Sequence, residues 1–197
     1  MNRLTLTPIV LSMVAFAIPC VAQSSMAPEN LRVEYLTNYI GIDTAIPRFS
    51  WILPDKGYNV FQKSYQIQVA KSQDALNQNK PDVWDSGTVE SGENVHIEYA
   101  GPPLESFTRY FWRVCVTFQN GETSKFSEPA YFETAFLNPQ KEMTAKWIRH
   151  PEKDEEPVKD DNRKEWERKR ISPMLRKTFE ITKPVKQARA YVSGLGY

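Results

Sequence analysis

Few residues in this chain could do chemistry. It has two cysteines, Cys20 and Cys115, and two histidines, His96 and His150. A nucleophilic thiol needs a base beside it, most often a histidine, and a groove for its substrate. Neither histidine sits in a recognisable partner motif, so Cys115 reads as an inert strand cysteine. Nor are the Cys and His residues clustered at the spacing of a structural zinc site. Carboxylates are the remaining chemical resource, with 24 Asp and Glu. Most fall on faces expected to be exposed, or in residues 149–170, where eight acids mix with eight bases. Nothing in their spacing sets a carboxylic acid of raised pKa against an ionised base. No catalytic residue, cofactor site or metal site is expected.

The rest of the composition bounds what such a chain can be. Of 197 residues, 41% are hydrophobic, and 12% are aromatic. That is enough for a packed core and too much for a disordered chain. Lysine and arginine total 25, so the net charge is +1. An even balance argues against a nucleic-acid partner, which needs a basic excess on one face. Residues 1–22 read as a signal peptide, with Arg3 as the positive start, a short apolar stretch from Leu11 to Ile18, and Ala22 before the cleavage point. The stretch is too short to span a bilayer, and no later apolar run approaches ~18 residues, so no membrane span is expected. Pro19 directly before Cys20 disfavours a lipoprotein box, though the choice between that and ordinary cleavage stays open. The mature protein is expected in the periplasm or outside the cell, with Cys115 as its single thiol.

Residues 29–137 alternate apolar and polar in short runs. Leu31, Val33 and Tyr35 form one, and Phe49, Trp51 and Leu53 another. Tyr65, Ile67 and Val69 alternate with Ser64, Gln66 and Gln68. Trp84 precedes an Asp85-Ser86-Gly87 turn. Val95, Ile97 and Tyr99 follow. Tyr110, Trp112, Val114, Val116 and Phe118 make the longest run, closed by Asn120-Gly121, and Phe126, Ala130 and Phe132 come last. A period of two means one buried face and one exposed face. Seven such strands in about 100 residues is the arithmetic of an immunoglobulin-like sandwich. Cys115 is out of phase with Val114 and Val116, which places it on the outer face beside Arg113 and Thr117.

One spacing narrows the fold. Leu104, Ser106, Thr108 and Tyr110 fall two apart ahead of the longest run. This resembles the tyrosine corner of fibronectin type III domains, with Ser106 where a proline is usual. The ring of such a tyrosine packs in the core and its hydroxyl bonds to upstream backbone. Trp51 stands where these domains carry an early core tryptophan. Trp112 occupies the position of the second antibody cysteine, so no inter-sheet disulfide is expected. Phe111, Tyr58 and Trp166 lie off the core pattern and are the candidates for a sugar-stacking platform, with ordinary surface or interdomain contact as the simpler role.

Beyond residue 137 the pattern changes. Residues 138–172 read as a linker and charged loop, with a short apolar element from Thr144 to Ile148. Alternation resumes from Leu175 to Ile181 and from Ala188 to Val192. Two or three strands cannot bury a core alone, so residues 173–197 read as the opening of a truncated second β domain. An exposed half-sheet of this kind invites pairing with another chain and proteolysis.

Certain words of the sequence are distinctive in their order. They are Gly41-Ile42-Asp43, Pro47-Arg48-Phe49-Ser50-Trp51, Ser64-Tyr65-Gln66-Ile67-Gln68-Val69-Ala70 and Val83-Trp84-Asp85-Ser86-Gly87. Then follow Tyr110-Phe111-Trp112-Arg113-Val114, Ala145-Lys146-Trp147-Ile148, Leu175-Arg176-Lys177-Thr178-Phe179 and Val192-Ser193-Gly194-Leu195-Gly196-Tyr197. Together they resemble the N-terminal region of bacterial α-L-rhamnosidases. The resemblance implies an all-β fold: a fibronectin type III-like seven-stranded β-sandwich, followed by the incomplete start of a second β-sandwich domain. It also implies a catalytic (α/α)6 barrel further on, where two glutamates remove terminal α-L-rhamnosyl groups with inversion. No catalytic residue of that barrel has a matching position here, so these 197 residues are expected to be inactive alone. The implied partners are the remainder of the enzyme and, through it, a rhamnose-containing polysaccharide or glycoside. A free-standing secreted interaction or carbohydrate-binding module is the alternative.

Overall fold

A computed structural model describes residues 26–53, 60–148 and 175–194. The chain divides into two units, Met1–Thr144 and Ala145–Tyr197. Among the described residues, the first is a two-sheet sandwich of nine strands, several of them very short. One sheet is ordered β1-β3-β7, from β1 (Glu29–Val33), β3 (Arg48–Ile52) and β7 (Ile97–Glu98). The other runs β2-β9-β8-β4-β5, from β2 (Ile40–Ile42), β9 (Ala130–Thr134), β8 (Arg109–Phe118), β4 (Gln62–Ala70) and β5 (Trp84–Asp85). The two-residue β6 (Val89–Glu90) also pairs with β4. Among the described residues, no helix is long and apolar enough to cross a membrane.

The alternation read from the sequence is the alternation that packs. On the larger sheet Val69 lies opposite Trp112, Ile67 opposite Val114 and Tyr65 opposite Val116. These side chains meet Leu31, Val33, Phe49 and Trp51 of the smaller sheet in one core. Phe49 is its hub, with its ring 4.6 Å from Trp112 and 6.0 Å from Phe132. The tyrosine corner forms. Tyr110 stacks on Phe132 at 5.3 Å, and its hydroxyl accepts the Glu105 N–H at 2.8 Å, five residues upstream.

A register shift between Gln62 and Ser64 turns Gln62 inward, opposite Phe118. A bulge reverses the parity of every residue before it. Buried Gln62 is then fully used. Its Oε1 accepts the Trp51 indole N–H at 3.1 Å, and its Nε2 donates to the carbonyls of Ser91 and Glu93.

The structure also departs from the alternation in particular places. Tyr35 is not the end of a strand. Val33 and Leu36 exchange both backbone bonds, and Glu34 and Tyr35 have φ of 48° and 69°. That is a two-residue hairpin turn with both central residues left-handed, and it leaves Tyr35 exposed. Val95 is exposed too, because only Ile97–Glu98 of its run reaches the ladder. Phe126 lies outside any strand. The segment before β9 follows β8 through Ser124 and Ser127, whose hydroxyls accept the Val116 and Val114 N–H groups. The parallel pairing of β2 with β9 and the helices α1 (Gln73–Asn77) and α2 (Pro139–Glu142) were not foreseen either. Ser72 caps α1, accepting the Ala75 N–H at 3.2 Å.

In the second unit, the described residues 145–148 and 175–194 carry no strand, and all are exposed. The alternating residues Leu175, Phe179 and Ile181 have no ladder partner among the described residues.

Candidate functional site

The chemical candidates do not converge. Cys115 lies between Arg113 and Thr117 on the outward side of β8, as its phase requires, and opposite Gln66. That side is not open, however, and Cys115 is only 8% exposed. β8 is an inner strand of its sheet, so neighbours on both sides cover it. Burial pushes the Cys115 thiol up to about 11. A thiol protonated at neutral pH is a poor nucleophile. His96 stands in the bend just before β7, where its backbone N–H meets Ser50 Oγ and its ring lies edge-on to Tyr35 at 5.1 Å. His150 and residues 1–22, expected to be a signal peptide, fall outside the described residues.

Two carboxylates, Glu34 and Asp85, are held below their ordinary values by hydrogen bonds. Glu34 takes both Arg48 guanidinium bonds, the shorter at 2.6 Å, and the Arg48 N–H. The Arg48 side-chain bonds hold the Glu34 carboxyl below its ordinary value. Burial pushes Asp85 up, but bonds from Gln66, Gln68 and the Gly87 N–H outweigh it and leave Asp85 lowered. Buried Glu133 pairs with Arg109 at 3.1 Å. A glycosidase general acid needs a displacement opposite to that of Glu34 and Asp85, upward. Among the described residues, no group of three or more His, Cys, Asp or Glu could hold a metal ion.

Of the proposed stacking aromatics, only Phe111 is described. It is half-buried and tilted against Tyr131 at 6.3 Å. Arg109 covers that tyrosine at 4.6 Å, and Arg113 covers Phe126 at 4.1 Å. A groove of about 770 Å³ runs along the start of β1, between Met26, Leu31, Asn38 and Glu128, and no aromatic lines it. The sequence reading missed the Glu34–Tyr35 turn, where Arg48 sits 5.3 Å from the Tyr35 ring centre. No turn signal marks it, since such turns ordinarily carry Asn-Gly.

Residues 28–138 match the family described as Rha78A-like, N-terminal immunoglobulin domain. The chain belongs to this family. Its boundaries coincide with the sandwich just described, from the start of β1 to the exit from β9. Among curated relatives, an α-L-rhamnosidase of Formosa agariphila is 32% identical over 190 residues, covering 89% of this chain and 19% of that protein. The crystal structure of Streptomyces avermitilis α-L-rhamnosidase complexed with L-rhamnose matches at 41% identity and a TM-score of 0.54. It covers 56% of this chain and 11% of that one. The α-L-rhamnosidase from Dictyoglumus thermophilum matches at 39% identity and 0.56, covering 59% and 13%. The chain thus spans at most about a fifth of the length of the curated relatives it matches. This N-terminal immunoglobulin-type domain is an all-β sandwich.

Proposed function

We propose that the chain is the non-catalytic N-terminal part of an exported α-L-rhamnosidase, a glycoside hydrolase that removes terminal α-L-rhamnosyl groups with inversion. One observation carries the reading. The family match falls on the sandwich, and similarity to far longer rhamnosidases continues over 190 residues. The partner is the remainder of that enzyme, and a rhamnose-containing polysaccharide or glycoside is bound there. Inversion needs an acid and a base held about 6.5–9.5 Å apart with water between base and sugar. The carboxylates Glu34, Asp85 and Glu133 are instead bonded to Arg48, to Gln66 and Gln68, and to Arg109. That supports a structural role for the sandwich. Residues 1–22 direct export, residues 138–172 form a linker and charged loop, and residues 173–197 open a second β domain. Exposed Leu175, Phe179 and Ile181 support this last point, since alternating apolar residues of this kind need partner strands to cover them.

The test is hydrolysis of an aryl α-L-rhamnoside by the purified 197-residue chain and by the longer product read from the DNA beyond codon 197. The chain alone is expected to release no rhamnose, and the longer product to release it. Release by the chain alone, abolished by one carboxylate substitution, would overturn the proposal.

A further inference from the structure

The polypeptide leaves the sandwich after β9, and its first residues outside are tied back to the tyrosine-corner loop. Ser106 is the centre of this tie. Its Oγ accepts the Leu137 N–H at 3.1 Å and donates to Glu142 Oε1 at 2.7 Å. The other oxygen of Glu142 accepts the Asn138 N–H at 3.0 Å. One serine and one glutamate thus close a ring around the start of α2. The loop itself is pinned from below. Thr134 Oγ1 accepts the Thr108 N–H at 3.0 Å and donates to the Glu105 carbonyl at 2.6 Å. The Phe107 and Phe136 rings meet edge-on at 4.9 Å.

A helix of four residues cannot hold itself in water, and α2 buries none of its side chains. Its order must come from bonds made outside it. Ser106 also stands where the corner pattern of fibronectin-type domains has a proline. A proline side chain could make neither of the Ser106 bonds, whereas a hydroxyl donates and accepts at once. We infer that Ser106 and Glu142 form a clasp that stiffens the exit joint, residues 137–143, so that the chain leaves the sandwich along one set path and not through a free linker. The inference rests on contacts inside the sandwich unit and stands apart from the rhamnosidase reading.

Amide hydrogen exchange on the full 197-residue chain tests it, with Ser106→Ala, Ser106→Thr and Glu142→Ala beside the parent. Leu137 and Asn138 are expected to be protected in the parent. Ser106→Ala and Glu142→Ala should each speed their exchange on the order of tenfold, the effect of one lost hydrogen bond of this kind. Ser106→Thr, which keeps the hydroxyl, should restore protection. The double variant should exchange no faster than the quicker single one, because either loss opens the same ring. Amides of β8 should not change. Leu137 and Asn138 exchanging at unstructured-peptide rates in the parent would overturn the inference, as would unchanged exchange in Glu142→Ala. That variant alters only an exposed helix, so it reads the clasp even if Ser106→Ala disturbs the corner.

Discussion

Trp112 and Trp147 have the same side chain and opposite fates. Trp112 is 0% exposed at the centre of the sandwich, whereas Trp147, in the second unit, is 68% exposed. The contrast extends to whole segments. Residues 110–118 place apolar side chains at alternate positions, and residues 175–181 do so at Leu175, Phe179 and Ile181 with Lys177 between. The first run has β4 on one side and β9 on the other, and the second has no ladder among the described residues. Alternation supplies a face that can be buried, and only partner strands bury it.

The comparison is sharpest in stability. Trp112→Ala should cost about 3–5 kcal/mol, the range for removing a large aromatic from a packed core. Trp147→Ala should stay within about 0.5 kcal/mol, as surface changes do. Denaturant unfolding followed by circular dichroism checks both, and a similar cost for the two would break the comparison.

A second pair separates packing from hydrogen bonding within the core. The Trp51 indole N–H is bonded to Gln62, and that of Trp112 has no partner among the described residues. Trp51→Phe should therefore exceed Trp112→Phe by about 1–3 kcal/mol, since it strands a buried acceptor. Tyr110→Phe should cost about 1 kcal/mol, because it removes only the hydroxyl that receives the Glu105 N–H.

Much of this core was legible in the sequence because a sheet's period is two and its buried face is apolar. Phe49, Trp51, Ile67, Trp112 and Phe132 all lie where alternation put them. The tyrosine corner was legible through spacing. What escaped was non-periodic. The bulge at Gln62 inverts parity through backbone geometry that no residue type announces. The Glu34–Tyr35 turn places two L-residues in the left-handed region, at ~1–2 kcal/mol each. The Glu34–Arg48 pair and the Tyr35 contacts hold it, and these are visible only in three dimensions. Cys115 had the correct phase, but phase does not say how deeply neighbouring strands cover an outer face. The Ser106–Glu142 clasp joins positions 36 residues apart, beyond any local pattern.

The smallest expected effect is the acid sensitivity of the sandwich. A folded-state pKa below the unfolded value means that the unfolded chain binds the proton more tightly. The stabilisation is then complete above the unfolded value and is lost as pH falls through the folded one. Glu34, lowered from 4.5 by its bonds from Arg48, contributes in this sense. Stability should be flat from neutral pH to about 5 and decline below 4.5, with a shallower decline in Glu34→Gln. Unfolding midpoints in buffers from pH 3 to 7 measure this, and an identical acid slope in the variant would show that Glu34 contributes nothing to the acid sensitivity.

We propose that the sandwich folds as a domain by itself. The direct test is thermal unfolding of residues 26–144 beside the full chain. One cooperative transition is expected in each, with the same midpoint within about 2 °C. A truncated sandwich that melts several degrees lower, or without cooperativity, would contradict it.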